Sequence, residues 1–108
     1  MREEFRKRRD WLVEALNNID GIKCRLPRGA FYAFPDISSF GLTSKEFADR
    51  LLNEEGVALA WGTSFGEYGE GHIRISYATS LENLKEAVKR IRRFTQRLRM
   101  EKLKTVSA

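Results

Sequence analysis

Residues 72–78, HIRISYA, alternate without a break: Ile73, Ile75 and Tyr77 fall on one side, and His72, Arg74, Ser76 and Ala78 on the other. An extended chain sends successive side chains to opposite faces, so this pattern describes a strand with one face in a core and the other in water. What flanks it narrows the choice further. The glycine-rich run GTSFGEYGEG precedes it, and Thr79-x-x-Glu82, with the spacing of a capping box, follows it. That cap opens a long amphipathic segment with Leu81, Leu84, Val88, Ile91 and Leu98 along one stripe. A one-faced strand placed directly before such a helix needs a helix layer over its apolar side, which points to an α+β domain.

The remaining patterns agree with that class. Phe5, Leu12, Leu16 and Ile19 recur at helical spacing and predict a helix over residues 3–18, stopping at NNIDG, where Gly21 can adopt a left-handed conformation. GIKCRLPRGAFYAFPDI predicts two short strands, residues 22–26 and 30–34, joined by a turn at Pro27-Arg28-Gly29 and paired antiparallel. LTSKEFADRLLNEEG predicts a second helix, opened by the capping box Thr43-x-x-Glu46 and closed at Gly56. GVALAW reads as a brief buried strand, and residues 62–71 as a loop. The expected order is α-β-β-α-β-β-α, a small, mostly antiparallel sheet with helices packed on one side. Residues 1–108 form one domain with a core over about 3–98 and a basic helix end and tail at 99–108, where KTVSA is expected to fray.

The net charge of +5 is not spread evenly. Arg2, Arg6, Lys7, Arg8 and Arg9 crowd the N-terminus, and Lys85, Lys89, Arg90, Arg92, Arg93, Arg97 and Arg99 mostly lie off the apolar stripe of the last helix, while the centre is mildly acidic. The plain reading is a solvated basic face, not a polyanion-binding domain. RGAFYAFPD resembles the aromatic strand of RNA-recognition domains, but Ala30 and Phe31 put it out of register, so nucleic acid is not expected as a partner. The single Cys24 is read as a small strand residue in a reducing compartment, and no Cys or His spacing suits a metal. With no membrane-length apolar run and no signal-peptide core, a cytoplasmic protein is expected.

The catalytic inventory is thin. His72 is the only histidine and is expected at a strand end, facing solvent or Ser76. No nucleophile turn is present, the carboxylates of NEEG read as ordinary helix-end residues, and Lys45, in the first turn of a capped helix, reads as a surface lysine. Arg74 stands apart: a guanidinium mid-strand, just after a glycine-rich loop, is either a surface residue of a two-faced sheet or a fork held out for an anion.

Three stretches occur in order: PRGAFYAFP (27–35), GVALAWGTSFGEYGEGHIRISYA (56–78), and, ahead of both, RRDWLVEAL (8–16). Together they resemble the C-terminal small domain of class I/II aminotransferases of the aspartate aminotransferase type, over residues 8 to about 94. The most specific pieces are G-A-F-Y, S-F-G and G-x-x-R-I-S-Y-A. The resemblance implies that Arg74 binds the α-carboxylate of an amino acid or 2-oxo acid substrate, and that Gly29, Ala30, Phe31 and Phe65 lie beside the same cleft. A planar guanidinium suits that role, since it grips a carboxylate through two parallel charge-assisted bonds where a lysine offers a point charge. The loop departs from the family pattern at its start, with Trp61-Gly62 where Pro-Gly is usual.

The resemblance also implies pyridoxal phosphate as the cofactor of the parent family. The family's cofactor lysine, its aspartate partner to the pyridine nitrogen and its phosphate-binding groups belong to a large domain that this chain does not match. The chain is therefore expected to be an isolated small domain, a fragment or a truncated reading frame, inactive alone, with no cofactor of its own and with apolar surface that favours a homo-oligomer. Two other readings stay open: a stand-alone module that binds a small carboxylate or a protein partner, and a basic nucleic-acid-binding domain.

Overall fold

The computed structural model describes residues 2–26, 31–61 and 70–107. These form helix α1 (Arg2–Asn17), strand β1 (Tyr32–Ala33), a 3₁₀ turn (Ser38–Phe40), helix α2 (Ser44–Glu55), strands β2 (Ala60–Trp61) and β3 (Ile73–Ser76), and helix α3 (Leu81–Ser107). The sheet order is β1-β3-β2, and β3 runs antiparallel to both neighbours. The α+β class and the small antiparallel sheet agree with the sequence.

The core lies where the alternation places it. Ile73 and Ile75 of β3 and Tyr77 just beyond it are buried with Ala33 against Leu12 and Leu16 of α1, Phe47 and Leu51 of α2, and Leu84, Val88, Ile91 and Phe94 of α3. Phe47 and Phe94 meet edge to face with ring centroids 5.1 Å apart, joining α2 to α3. Thr43 caps α2 with the full reciprocal box, and Gly56 closes it at φ 72°.

Several expectations change in detail. Residues 22–26 do not form a ladder with β1; they make a single antiparallel bridge, Lys23 with Asp36. On the opposite edge of this segment the Asn17 side-chain amide accepts from the Cys24 N–H and donates to the Cys24 carbonyl, both at 2.8 Å, standing where a further strand would pair. β1 is shorter than expected because Pro35 has no N–H to give, although its carbonyl still accepts from Ile73 and keeps the register. The run GVALAW is not a buried strand: only Ala60 and Trp61 pair, at the sheet edge and half-buried. α1 ends at Asn17, and Gly21 lies beyond a further turn at φ 95°, where an added Cβ would meet the Phe40 ring at 2.8 Å. The cap of α3 is Ser80, one residue later than expected, with its Oγ accepting from the Asn83 N–H, while Thr79 Oγ1 accepts from the Asn83 side chain. The helix extends to Ser107. The turn at residues 27–29 lies outside the described residues.

Part of the basic face of α3 is a clamp. The Glu55 side chain is 3 % exposed. It accepts from Arg93 at 2.6 and 2.9 Å and from Arg97 at 2.5 Å, and Arg90 donates to its main-chain carbonyl at 3.0 Å. Those guanidinium bonds, Arg93 first, hold the Glu55 carboxyl down at about 2. Glu55 is thus the acid that fastens the end of α2 to α3, and not an ordinary helix-end residue.

Candidate carboxylate site on the open face of the sheet

The helix-free face of the sheet is built by register. Ala60 pairs with Arg74, Tyr32 with Ser76, and Ala33 with Ile75, and Asp36 bridges both Lys23 and His72. One register therefore runs from Tyr32 opposite Ser76 to Asp36 opposite His72, and it sets Phe34 opposite Arg74. Residues pointing away from the helices are Tyr32 and Phe34 from the β1 segment, His72, Arg74 and Ser76 from the β3 segment, and Ala60 from β2.

Arg74 is half-buried in the middle of this face, and its guanidinium carbon lies 4.5 Å from the centre of the Tyr32 ring. Stacking on an aromatic ring holds the planar head while leaving its N–H edge directed elsewhere. Tyr32 and Phe34 remain 37 % and 39 % exposed, unusual for aromatic side chains in a sheet. Phe31 is placed differently. Its ring packs on Phe5 at 4.9 Å and on Tyr77 at 6.3 Å, on the helix side of the sheet, while remaining about half exposed. Gly29, Ala30 and Phe65 lie outside the described residues.

The approach to Arg74 is fixed from below. Glu70 reaches the start of α2, where one carboxylate oxygen accepts from the Ser44 N–H at 2.7 Å and the other from the buried Ser44 hydroxyl at 3.0 Å. This bonding lowers the Glu70 pKa, as expected for an anion at a helix N-terminus. Gly71 follows at φ 86°, and its carbonyl accepts from the Ile37 N–H at 2.8 Å. Two tethers thus set the chain immediately before the strand that carries Arg74.

Asp36 turns toward the 3₁₀ segment, accepting from the Ser38 N–H and hydroxyl at 2.8 and 2.6 Å. His72 borders it, with Nδ1 3.3 Å from the Glu70 carbonyl. Lys45 is a surface lysine paired with Asp49 at 2.7 Å. Sequence reasoning missed Tyr32 and Phe34; a tyrosine and a phenylalanine two apart, followed by proline, are the signal that two aromatics would share the open face. It also missed the Glu70–Ser44 tether, for which neighbouring residues give no signal.

The sequence profile described as aminotransferase class I and II matches residues 1–91. The chain is 53 % identical over 94 residues to a putative aminotransferase, YugH, of Bacillus subtilis, covering 87 % of this chain and 24 % of that protein. It is 50 % identical over 91 residues to an aspartate aminotransferase of Pyrococcus horikoshii, covering 84 % of this chain and 23 % of that protein. The crystal structure of an aromatic aminotransferase from Pyrococcus horikoshii superposes with a TM-score of 0.84 at 44 % identity, over 90 % of this chain and 26 % of that one. The chain spans about a quarter of the length of these relatives. A profile match over most of the sequence, identities near one half, and a shared arrangement of helices and sheet agree with one another: the chain belongs to the class I and II aminotransferases.

Proposed function

We propose that this chain is the small-domain portion of a pyridoxal-phosphate-dependent aminotransferase that moves an amino group between an amino acid and a 2-oxo acid, and that Arg74 binds the substrate's α-carboxylate. The observation that carries the reading is the Arg74 guanidinium on the open face of β3, steadied by the Tyr32 ring at 4.5 Å. A carboxylate meeting that N–H edge is gripped in two places, which fixes the substrate's Cα instead of merely attracting its charge. Glu70 and Gly71 contribute by setting where β3 begins.

Pyridoxal phosphate supplies an electron sink for chemistry at the amino-bearing carbon. The described side chains of this chain do not suit holding it. Lys7, Lys23, Lys45, Lys85, Lys89 and Lys102 are all exposed, whereas a lysine that bonds covalently to a carbonyl works from a desolvated pocket. The chain's part is therefore a wall of the cleft, with the cofactor held by another portion of the enzyme. The nucleic-acid alternative loses ground because Arg90, Arg93, Arg97 and Arg99 are occupied by Glu86, Glu55, Glu54 and Asp20.

The test is a chimera in which residues 1–91 replace the matching portion of the Pyrococcus horikoshii aspartate aminotransferase. Charge-assisted hydrogen bonds of about 1.5–3 kcal/mol predict that Arg74→Lys lowers kcat/KM by about 10- to 100-fold, since each 1.4 kcal/mol is tenfold. An Arg74→Lys chimera as active as its parent overturns the assignment.

A further inference from the structure

Helix α3 outlasts the core it covers. Its apolar stripe is buried as far as Leu98, which is 8 % exposed, yet the helix extends to Ser107, and Leu103 is 63 % exposed. Leu98, Arg99, Lys102 and Leu103 recur at helical spacing and share one face of this overhang. Opposite them stands the 3₁₀ turn, and between the two lies a groove of about 360 Å³ with Phe40, Leu98 and Leu103 as its apolar lining. The facing wall is firm. Gly21, at φ 95°, approaches so closely that an added Cβ would meet the Ser39 Oγ at 2.9 Å, and the Ser39 hydroxyl donates to the Gly21 carbonyl at 2.6 Å. Phe40 packs on Phe47 of the core with ring centroids 5.8 Å apart. None of the open-face residues lines this groove.

The rim is cationic. Lys102 forms no ion pair among the described residues, and Arg99 meets only Asp20, at 3.3 Å, in an exposed pair of little strength. No acid lines the groove. An apolar floor with two cations at its edge matches a ligand that is apolar along its length and anionic at one end. A second copy of the chain is a poor match, since a two-fold contact would bring Arg99 and Lys102 toward the same cations of the partner. We propose that the groove is a binding site for a small amphiphilic carboxylate, a medium-chain aliphatic acid. Its chain lies on Phe40, Leu98 and Leu103, and its head meets Lys102 and Arg99. The inference does not depend on the role of Arg74.

The experiment uses the chain itself, titrated at neutral pH and fixed ionic strength with hexanoate, octanoate, octan-1-ol and octylammonium while backbone amide resonances are followed. Octanoate is expected to shift residues 39–40 and 98–103. Each methylene added between hexanoate and octanoate should tighten binding about two- to fourfold, since full burial of a methylene is worth about fourfold and one side of the groove is open. Octan-1-ol, with the same chain and no charge, should bind severalfold more weakly, and octylammonium more weakly still. Lys102→Gln and Arg99→Gln should each narrow the difference between octanoate and octan-1-ol, and Lys102→Glu should favour octylammonium. Leu103→Ser, at an exposed position outside the core, should weaken all of them. Because a carboxylate can also meet Arg74, the titration is repeated in Arg74→Gln, where the shifts at residues 98–103 should persist.

Equal affinities for octanoate and octan-1-ol, or an octanoate preference unaltered when Arg99→Gln and Lys102→Gln are combined, overturns the site. So does loss of the shifts at residues 98–103 in Arg74→Gln, which means that the acid binds on the open face instead. Shifts there that follow protein concentration and not octanoate assign the groove to a second copy and equally overturn it. Failure of Arg74 as a carboxylate clamp leaves these results untouched, so the two readings fall separately. Preserved spectral dispersion in the variants identifies any change as local.

Discussion

Asn17 replaces a strand with a side chain, and removing it measures what that substitution is worth. Its amide makes two neutral hydrogen bonds of 2.8 Å to the N–H and C=O of Cys24, a residue 6 % exposed. Each such bond contributes about 0.5–1.5 kcal/mol, so losing both costs about 1–3 kcal/mol. Alanine is the better helix former by several tenths of a kcal/mol, which offsets part of the loss in the last turn of α1. The net expectation for Asn17→Ala is about 1–2 kcal/mol by urea unfolding, with the slope against denaturant unchanged. Asn17→Asp separates the two bonds. The ionised carboxylate still accepts from the Cys24 N–H but sets its second oxygen against the Cys24 carbonyl, so the folded pKa of the introduced carboxyl rises above the unfolded value of about 3.9. The stability of that variant is therefore fully present below the unfolded pKa and falls as pH rises through the folded one, and its gap from the parent chain narrows in acid. A loss under about 0.5 kcal/mol in Asn17→Ala, the level of an ordinary surface site, refutes the account, as does a gap for Asn17→Asp that does not change with pH.

The Glu55 carboxyl, held near 2 by Arg93 and Arg97, contributes stability that is present above the ordinary glutamate value and is lost as pH falls through about 2; its carbon resonance should stay flat until then, and a midpoint near 4.5 means that the clamp does not form in solution. Incubated with pyridoxal phosphate, the chain alone should show neither transamination nor a borohydride-reducible adduct at a single lysine, and turnover with such an adduct contradicts the division of labour proposed above. Leu26, Phe31, Tyr32 and Phe34 leave apolar surface uncovered, so sedimentation should show dimers or larger species as concentration rises, and a monomer throughout counts against that expectation.

What the sequence made legible were features whose cause is local. The capping box at Thr43, the left-handed Gly56 and the alternation of residues 72–78 depend on neighbours within a turn or on strict periodicity, and they appear as read. What it hid depended on partners far along the chain. Residues 22–26 have the composition of a strand but pair with the β1 segment only at Lys23–Asp36, and their outer edge is closed by a helix-end asparagine seven residues back, which strand composition does not signal. Glu55 looked like a solvated helix end because Arg93 and Arg97 lie about forty residues away in sequence. Around the candidate site, the open-face position of Arg74 followed from the alternation of its strand, whereas those of Tyr32 and Phe34 followed only from the antiparallel register with β3.

The strand order β1-β3-β2 also governs how the domain can be made. The central strand is the last of the three in sequence, so during synthesis β1 and β2 are complete while neither has a neighbour, and the sheet exists only after residue 77 is available. The β1–β3 ladder must close over the whole of α2 and β2 before it is gained, the arrangement that slows folding and leaves strand edges unprotected meanwhile, whereas β2 lies much nearer β3 in sequence. Insertion of β3 is then a single event that completes the sheet, buries Ile73 and Ile75, and presents Arg74 on the opposite side. A nascent or partly unfolded chain accordingly has no half-formed open face: Arg74 reaches its position only in molecules whose core has already closed.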